Sequence, residues 1–275
     1  MTLADATGVV MALPGEPRRI VSLIPSTTET LCALGLADAL VGVTVYCREP
    51  RDVVRTKTRV GGEKDPDLEL IRRLAPDLVV ANVEENVRDH VETLRGWGIP
   101  VWVTYPRTVA ESLRMISELG ELTGTVRGAD ALLAALTPLY EEARAAAATR
   151  PAVGVFYAIW RAPYMTINRD TYIHDLLAVC GGANVFADHA ERYPAVTLDE
   201  IAARRPELIL LPDEPFRFRP AHLRDFAPYT DVPAVRHQRI RLVDGKPFSW
   251  HGPRMADALR TVPALLRSPT SPSTT

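Results

Sequence analysis

The chain has 275 residues, of which 24% are charged and 47% hydrophobic, and its formal net charge is −2. This composition is that of a folded globular protein, and it excludes disordered and fibrous chains. The near balance of charge argues against non-specific nucleic-acid binding, because such binding needs a basic surface. We therefore predict no nucleic-acid partner.

The N-terminal sequence and the cysteines bear on where the chain is located. No apolar stretch approaches the roughly 18 residues that a membrane-spanning helix needs. The first twenty residues, MTLADATGVVMALPGEPRRI, lack the basic and apolar segments of a secretory signal. As written, the chain is predicted to be cytoplasmic, and a start further upstream would make it periplasmic or cell-surface. Three cysteines without a CxxC pair argue against a disulfide framework or a zinc ribbon.

Short β-branched stretches alternate with helical patterns through the first half of the chain. We predict strands at 19–24, 39–45, 78–81 and 100–104, and helices at 26–34, 68–74, 85–97 and 109–123. Ser26 and Thr27 are candidate N-caps, Glu29 completes a capping-box pattern with Ser26, and Gly35 fits a C-cap. Such repeated strand–helix connections predict a mainly parallel sheet covered on both faces.

One longer helix is predicted over 125–148, where apolar residues recur at helical spacing until Pro151 ends the pattern. It would be about 36 Å long. The strand–helix pattern then restarts, with strands at 153–159, 208–211 and 239–243 and helices at 172–179 and 253–266. The predicted organisation is an N-terminal extension (1–17), an N-terminal lobe (18–124), a connecting helix (125–150), a C-terminal lobe (151–267) and a disordered tail (268–275).

The two halves contain a repeated pattern. LELI at 68–71 and PDLVV at 76–80 match LDEI at 198–201 and PELIL at 206–210 at identical spacing. A weaker match sets 31–35 beside 177–181, each a helix that ends at glycine. Any helix–proline–strand connection has this form, which is one interpretation. The other is two homologous lobes joined by the long helix, with a ligand cleft between them.

The order and spacing of these segments resemble the solute-binding proteins of ABC importers that capture cobalamin and ferric chelates. The resemblance covers about residues 18–266 and is strongest to the cobalamin-binding members. It is carried by RIVSLIPSTTETLCALGLADALVGVT (19–44), VGGEKDPDLELIRRLAPDLVVA (60–81), GIPVWV (98–103), VCGGANVF (179–186) and VTLDEIAARRPELIL (196–210). It implies an α/β fold of two Rossmann-like lobes with mainly parallel sheets, joined by one long backbone helix that allows little hinge motion.

The resemblance also implies a partner. In importer-linked members one surface carboxylate per lobe docks on arginines of the membrane transporter, and Glu69 and Asp199 occupy those places. From the residues alone, each acid fits the first turn of a helix, where it stabilises the helix dipole. The implied partners are an ABC permease and a small-molecule metal chelate, with cobalamin or a ferric chelate as ligand and no prosthetic group. We expect a monomer.

Loops at the carboxyl ends of parallel strands should line the ligand site. One such loop, at 25–29, could present helix amides to an anionic group, although capping explains its hydroxyls more simply. The predicted ligand-binding residues are Tyr46, Glu63, Trp160, Arg161, Tyr164, Tyr193, Trp250, His251 and Arg254. Aromatic rings and arginines suit a flat macrocycle with carboxamide or carboxylate edges. Packing within the fold remains the alternative for each aromatic residue.

Several alternatives stay open at this point. Glu63 and Asn82 stand where relatives have tryptophan, which leaves haem or a ferric siderophore open beside cobalamin. Glu63, Glu84 and His251 could hold a bare metal ion if they converge. The chain has no GxGxxG, P-loop, HExxH or GxSxG motif, and we predict no enzyme. We favour the substrate-binding component of an importer over a cytoplasmic chelate binder or chaperone, and over an enzyme that uses the cleft.

Overall fold

The computed structural model describes residues 3–267, which divide into two compact units. Within these residues, unit 1 comprises 3–106, Ala110–Leu136 and Trp250–Pro253, and unit 2 comprises Arg107–Val109, Thr137–Ser249 and 254–267. Trp250–Pro253 therefore belong with unit 1, whereas the sequence prediction had placed them in the second lobe. The predicted disordered tail, 268–275, lies outside the described residues.

The first part of the chain forms a small hairpin and a five-stranded sheet. The order of this sheet is β5-β4-β3-β6-β7, and every pairing in it is parallel. The strands are β1 (Leu3–Ala4), β2 (Val10–Met11), β3 (Ile20–Ser22), β4 (Leu40–Val43), β5 (Thr58–Arg59), β6 (Leu78–Asn82) and β7 (Val101–Thr104). The helices are α1 (Pro25–Ala33), α2 (Arg51–Val54), α3 (Leu68–Arg73), α4 (Arg88–Gly96) and α5 (Val109–Thr123).

The second part begins with the long helix α6 (Val126–Ala148), inside which the division between the units falls. The strands that follow are β8 (Val153–Tyr157), β9 (Tyr164–Met165), β10 (Gly182–Asn184), β11 (Ala195–Val196), β12 (Leu208–Pro212) and β13 (Ile240–Val243). The helices are α7 (Tyr172–Val179), α8 (Leu198–Ala203), α9 (Pro233–Arg236), α10 (Lys246–Ser249) and α11 (Met255–Arg267), with 3-10 turns at Pro220–Phe226 and Gly252–Arg254. The main sheet is parallel, in the order β10-β8-β12-β13, and β9 and β11 form a separate antiparallel pair.

The predicted α/β class, with two mainly parallel sheets and one long helix, is confirmed. All five residues of β6 and all five of β12 are buried, as expected for central strands covered on both faces. Helix α6 is continuous over 23 residues although Pro138 lies inside it. The order β4-β3-β6-β7 in unit 1 matches β10-β8-β12-β13 in unit 2.

The repeated sequence pattern corresponds to a repeated structure. Asp67 caps α3 by accepting a hydrogen bond from the backbone N–H of Leu70 at 2.8 Å. Thr197 caps α8 in the same way, with the N–H of Glu200 at 3.2 Å. After each helix the residue before the proline has a positive φ, 44° at Ala75 and 49° at Arg205. Both turns therefore reverse the chain by the same left-handed conformation.

The acid that follows each proline accepts a hydrogen bond from the backbone at the start of a neighbouring strand. The backbone N–H of Arg19 donates to Asp77 Oδ1 at 3.0 Å, and that of Gly154 donates to Glu207 Oε2 at 2.7 Å. Each acid thus satisfies an N–H where the neighbouring strand, β3 or β8, begins. These matching contacts favour the interpretation as homologous halves over a generic connection.

Two helix starts differ from the sequence prediction. The predicted capping box of Ser26 and Glu29 is wrong, because α1 begins at Pro25 and its N-cap, Ile24, makes no side-chain capping bond. The hydroxyls of Thr28 and Thr30 donate instead to carbonyl oxygens four residues earlier. Gly35 follows α1 with φ 91°, as predicted for a terminating glycine.

Helix α4 begins at Arg88 and not at Glu85, because a turn built by two asparagines comes first. Asn82 Oδ1 accepts a hydrogen bond from the N–H of Glu84, and Asn86 Oδ1 accepts one from the N–H of Asn82, both at 2.8 Å. Such side-chain bonds offer the backbone an alternative to helix.

Candidate functional site

The strand order locates the candidate ligand loops in each unit separately. In unit 1 the direction of sheet growth reverses between β3 and β6, and in unit 2 it reverses between β8 and β12. In open parallel sheets, ligands bind beyond the carboxyl ends of the strands at such a reversal. The candidate ligand loops are therefore those that follow β3, β4 and β6 in unit 1, and β8, β10 and β12 in unit 2.

The loop after β4 presents Tyr46, whose side chain is 54% exposed. This loop is held firmly, because the guanidinium of Arg59 donates to the carbonyl oxygens of Thr44 and Cys47 at 2.9 and 2.7 Å. The Cys47 thiol lies 3.1 Å from the hydroxyl of Thr28, and burial raises its pKa. Tyr46 is thus an exposed ring on a fixed loop.

The loop after β6 contributes an apolar residue, Val83, which is 42% exposed. Asn82 is buried, and its amide donates to the hydroxyl of Thr104 at 3.3 Å, so it builds the turn and does not face solvent. The backbone carbonyl of Glu63 accepts a hydrogen bond from Asn86 Nδ2 at 3.1 Å. Glu63 and Asn82 are therefore both tied into the loops of unit 1.

The loop after β8 presents Trp160, which is 43% exposed. Two backbone hydrogen bonds close this loop: Ile159 N–H to the Met165 carbonyl at 2.9 Å, and Met165 N–H to the Trp160 carbonyl at 3.1 Å. The indole packs against the ring of Phe216, with the ring centroids 5.5 Å apart and the ring planes inclined at 66°. Trp160 is accessible and at the same time restrained.

Arg161 and Tyr164, both predicted to contact ligand, share one internal partner. Arg161 forms a two-pronged ion pair with Asp225, at 2.7 and 3.2 Å, and the Tyr164 hydroxyl donates to the same carboxylate at 2.7 Å. The Arg161 guanidinium holds the pKa of Asp225 below its usual range. Tyr164 is only 7% exposed and stacks on Phe218, so its ring lies in the core of unit 2. Both residues fix the loop that carries Trp160.

Tyr193, in the segment between β10 and β11, is 39% exposed and lies under the guanidinium of Arg192 at 5.4 Å. Its segment is tied to the chain after β9, because the Asn168 N–H donates to the Arg192 carbonyl at 3.0 Å. This ring is accessible on unit 2.

Segment 250–254, which contains three of the predicted ligand-binding residues, is largely packed into the fold. Trp250 is 9% exposed and Gly252 is buried, while His251 and Arg254 are half-buried. The Gly252 N–H donates to the hydroxyl of Ser112 at 3.3 Å within unit 1. Helix α11 begins at Met255, after the 3-10 turn.

His251 gives a pH-dependent prediction. Burial lowers its pKa to about 4, whereas an unfolded chain has a histidine pKa of about 6.5. Between these values the unfolded chain binds more protons, so the free energy of unfolding should fall as pH decreases from about 6.5 to 4. His251→Gln should remove up to roughly 3 kcal/mol of this fall.

Urea unfolding at several pH values across that window measures the effect. His237→Gln, at an exposed position, is the control and should keep the wild-type slope. Identical pH slopes for wild type and His251→Gln would contradict the prediction.

The two predicted docking acids occupy equivalent places in the repeat. Glu69 and Asp199 lie in the first turns of α3 and α8, and both are exposed. These helices lead back into parallel strands, so their first turns lie at the carboxyl edge of their own sheets. Asp199 Oδ1 accepts a hydrogen bond from the hydroxyl of Tyr229 at 2.8 Å, which fixes its orientation.

Among residues 3–267, no group of three or more His, Cys, Asp or Glu side chains is placed to hold a metal ion, and Glu63, Glu84 and His251 form no such group. No helix within those residues is long and apolar enough to cross a membrane.

Sequence reasoning missed the loop after β12 entirely. This segment, 213–226, carries Phe216, Phe218, His222 and Asp225, and it packs beside the Trp160 loop. The signal was present, because the same carboxyl-edge rule that selected Trp160 also selects the stretch after β12. Val45 and Val83 were missed in unit 1 for a different reason: a single valine in a loop gives no distinct pattern.

A match to a family model assigns this chain to a protein family. The family model described as "Periplasmic binding protein" matches residues 20–247. The chain belongs to the periplasmic binding protein family. The resemblance inferred from sequence is therefore confirmed, and so is the expectation that the chain is not an enzyme, because this family consists of binding proteins.

Individual relatives of this periplasmic binding protein span nearly its whole length. The vitamin B12-binding protein of Vibrio cholerae is 24% identical over 266 residues, covering 97% of this chain and 95% of the relative. The crystal structure of BtuF from that organism has a TM-score of 0.82 at 23% identity, covering 92% of this chain and 98% of BtuF.

Two further relatives have names that state other roles. The uncharacterized ABC transporter substrate-binding lipoprotein YvrC of Bacillus subtilis is 29% identical over 267 residues, covering 94% of this chain and 83% of YvrC. A periplasmic haem-binding protein from Pseudomonas aeruginosa has a TM-score of 0.78 at 24% identity, covering 94% of this chain and 96% of that one. The shared fold therefore serves more than one ligand.

The predicted cytoplasmic location is wrong. The family to which the chain belongs is one of periplasmic proteins, and YvrC is a lipoprotein. The composition of the first twenty residues does not by itself determine the compartment of a protein.

Proposed function

We propose that this periplasmic binding protein binds a metal chelate through the loops at the carboxyl ends of its two sheets, as the substrate-binding component of an ABC importer. Family membership supports the binding role. The names of the relatives support the rest: vitamin B12 binding in Vibrio cholerae, and ABC transporter substrate binding in Bacillus subtilis.

The observation that carries this proposal is the position of the exposed apolar side chains. Among residues 3–267, nine large hydrophobic side chains are exposed, and five of them follow carboxyl ends of sheet strands: Val45, Tyr46, Val83, Trp160 and Tyr193. Exposed apolar surface concentrated in a few loops marks a binding surface, whereas single scattered residues do not. Three of these residues lie in unit 1 and two lie in unit 2.

The chemistry of these residues favours a bulky and partly apolar chelate over a bare ion. Three of the five residues are aromatic, and such rings bind flat conjugated faces by stacking. No metal-binding group of protein side chains accompanies them in the described chain. The metal would therefore enter already complexed, with a corrinoid as the first candidate and haem as the second.

Titration of the purified protein with hydroxocobalamin, haem and ferrioxamine B, each separately, tests the proposal. Binding is read from the visible absorption of the chelate and from calorimetry. We expect saturable one-to-one binding of a macrocyclic chelate. Absence of binding by all three at tens of micromolar would remove the assignment.

Glu69 and Asp199 are proposed to contact arginines of the permease, since each is exposed at the carboxyl edge of its own sheet. Two charges on separate units fix orientation on a basic partner and accelerate encounter. The Tyr229 hydroxyl holds the shorter Asp199 side chain in one orientation.

Charge reversal separates docking from ligand binding. The double variant Glu69→Lys/Asp199→Lys should bind its chelate with wild-type affinity, while uptake through the cognate permease and ATPase in liposomes falls about tenfold or more. The control reverses two exposed acids on α6, Glu141→Lys/Glu142→Lys, and should leave uptake unchanged. Equal uptake by the two double variants would contradict the docking role.

A further inference from the structure

The loop after β12 forms an aromatic cluster with the loop after β8. Phe216 lies between Trp160 and the buried Phe218, with centroid distances of 5.5 and 4.8 Å and interplanar angles of 66° and 67°. The imidazole of His222 packs against both phenylalanine rings at 5.5 and 5.8 Å. A continuous chain of edge-to-face contacts therefore leads from the core to the exposed indole.

The same two loops are also joined by polar contacts. The Arg161–Asp225 ion pair and the Tyr164–Asp225 hydrogen bond connect the β8 loop to the 3-10 turn Pro220–Phe226. Strands β8 and β12 are paired neighbours in the sheet, so the loops diverge from adjacent positions. Their relative position is thus fixed from below by the sheet and from the side by Asp225.

Two polar groups of these loops have partners within the protein. The guanidinium of Arg161 is engaged by a carboxylate at 2.7 Å, so its charge is compensated within the protein. His222 Nδ1 accepts a hydrogen bond from the Arg219 N–H at 3.1 Å, which places the proton of the neutral imidazole on Nε2. In that tautomer His222 Nε2 can donate a hydrogen bond.

We infer that Phe216 is a positioning residue, which holds the Trp160 indole in a fixed orientation so that a flat conjugated macrocycle stacks on the exposed part of the ring. Segment 213–226 is then part of the binding surface, with His222 Nε2 as a donor toward an acceptor on the ligand. The inference rests on the proposed function and narrows its ligand class to corrinoids and porphyrins. Holding the ring before the ligand arrives reduces the ordering cost of binding.

Phe216→Leu tests this inference, because leucine fills similar space without the aromatic ring that packs against the indole. Affinity for the macrocycle that the wild type binds should fall about three- to tenfold. In a Trp160→Leu background the same change should have little further effect, because Phe216 acts through Trp160. Phe216→Tyr keeps the ring and should restore affinity to within about twofold of wild type.

A second readout needs no ligand. Near-ultraviolet circular dichroism in the tryptophan band should weaken in Phe216→Leu, because the indole loses its fixed surroundings. Tyr140→Leu, which removes a half-buried ring on α6, is the matched control and should change neither the tryptophan band nor the affinity. Thermal unfolding confirms that each variant is folded. If Phe216→Leu does not fold, Phe216→Met takes its place.

The outcomes are distinct. A wild type that binds none of the chelates overturns the proposed function itself. A wild type that binds only ferrioxamine B keeps chelate binding and overturns the macrocycle class. Unchanged affinity in Phe216→Leu, or an equal loss with and without Trp160, overturns the positioning role and leaves the proposed function intact.

Discussion

Gly252→Ala is expected to lower the free energy of unfolding by about 2–4 kcal/mol. Gly252 has φ 81°, where any side chain is strained. A Cβ atom there would lie 2.0 Å from the hydroxyl oxygen of Thr30. That hydroxyl is fully buried and donates to the Ser26 carbonyl at 2.9 Å, so it cannot move aside without losing a hydrogen bond.

The matched control is Gly35→Ala. Gly35 has a similar φ of 91° but open space around the added Cβ, so only the backbone strain remains, about 1 kcal/mol. Denaturant unfolding compares the two, and Thr30→Ala should recover part of the Gly252→Ala loss. An equal fall in the free energy of unfolding for the two glycine variants would show that the contact with Thr30 does not cause the loss.

Trp160→Leu is expected to weaken chelate binding by about 10- to 100-fold, because an exposed ring that stacks on ligand contributes about 1–3 kcal/mol. The indole is 43% exposed yet held by Phe216, so it loses little freedom when ligand binds. Calorimetric titration with the macrocycle that the wild type binds gives the ratio of the dissociation constants directly.

Trp97→Leu provides the control for removing a tryptophan. Trp97 follows α4, at the amino end of β7, and packs under the guanidinium of Arg72 at 5.1 Å. It lies at the opposite edge of its sheet from the ligand loops, so its removal should leave affinity unchanged. Equal losses of chelate affinity in the two variants would show that Trp160 does not contact ligand.

Much of the fold could be predicted because its signals are local and periodic. The bounds of α5 and α7 match their predicted ranges, since apolar spacing and the following glycine determine them. The repeat of 68–80 in 198–210 was visible because a proline followed by an acid recurs in both halves. In each half that acid accepts a hydrogen bond from a backbone N–H at the start of the neighbouring strand. Short elements such as β5 and β9, each of two residues, gave no periodicity to detect.

The candidate site was harder to predict because exposure is set by tertiary packing. Trp160 and Tyr164 are four residues apart and both aromatic, yet one is exposed and the other is buried on Phe218. The partner of Arg161 is 64 residues away at Asp225. No local pattern distinguishes a residue that supports a loop from one that contacts ligand.

Hydrogen-exchange mass spectrometry of the protein with and without its chelate shows which loops the ligand covers. The account predicts slower exchange at residues 44–48 of unit 1 and at 159–165 and 213–219 of unit 2. It predicts no change around Trp97 at the opposite sheet edge. Protection confined to one unit, or located away from the carboxyl ends of the strands, would contradict the account.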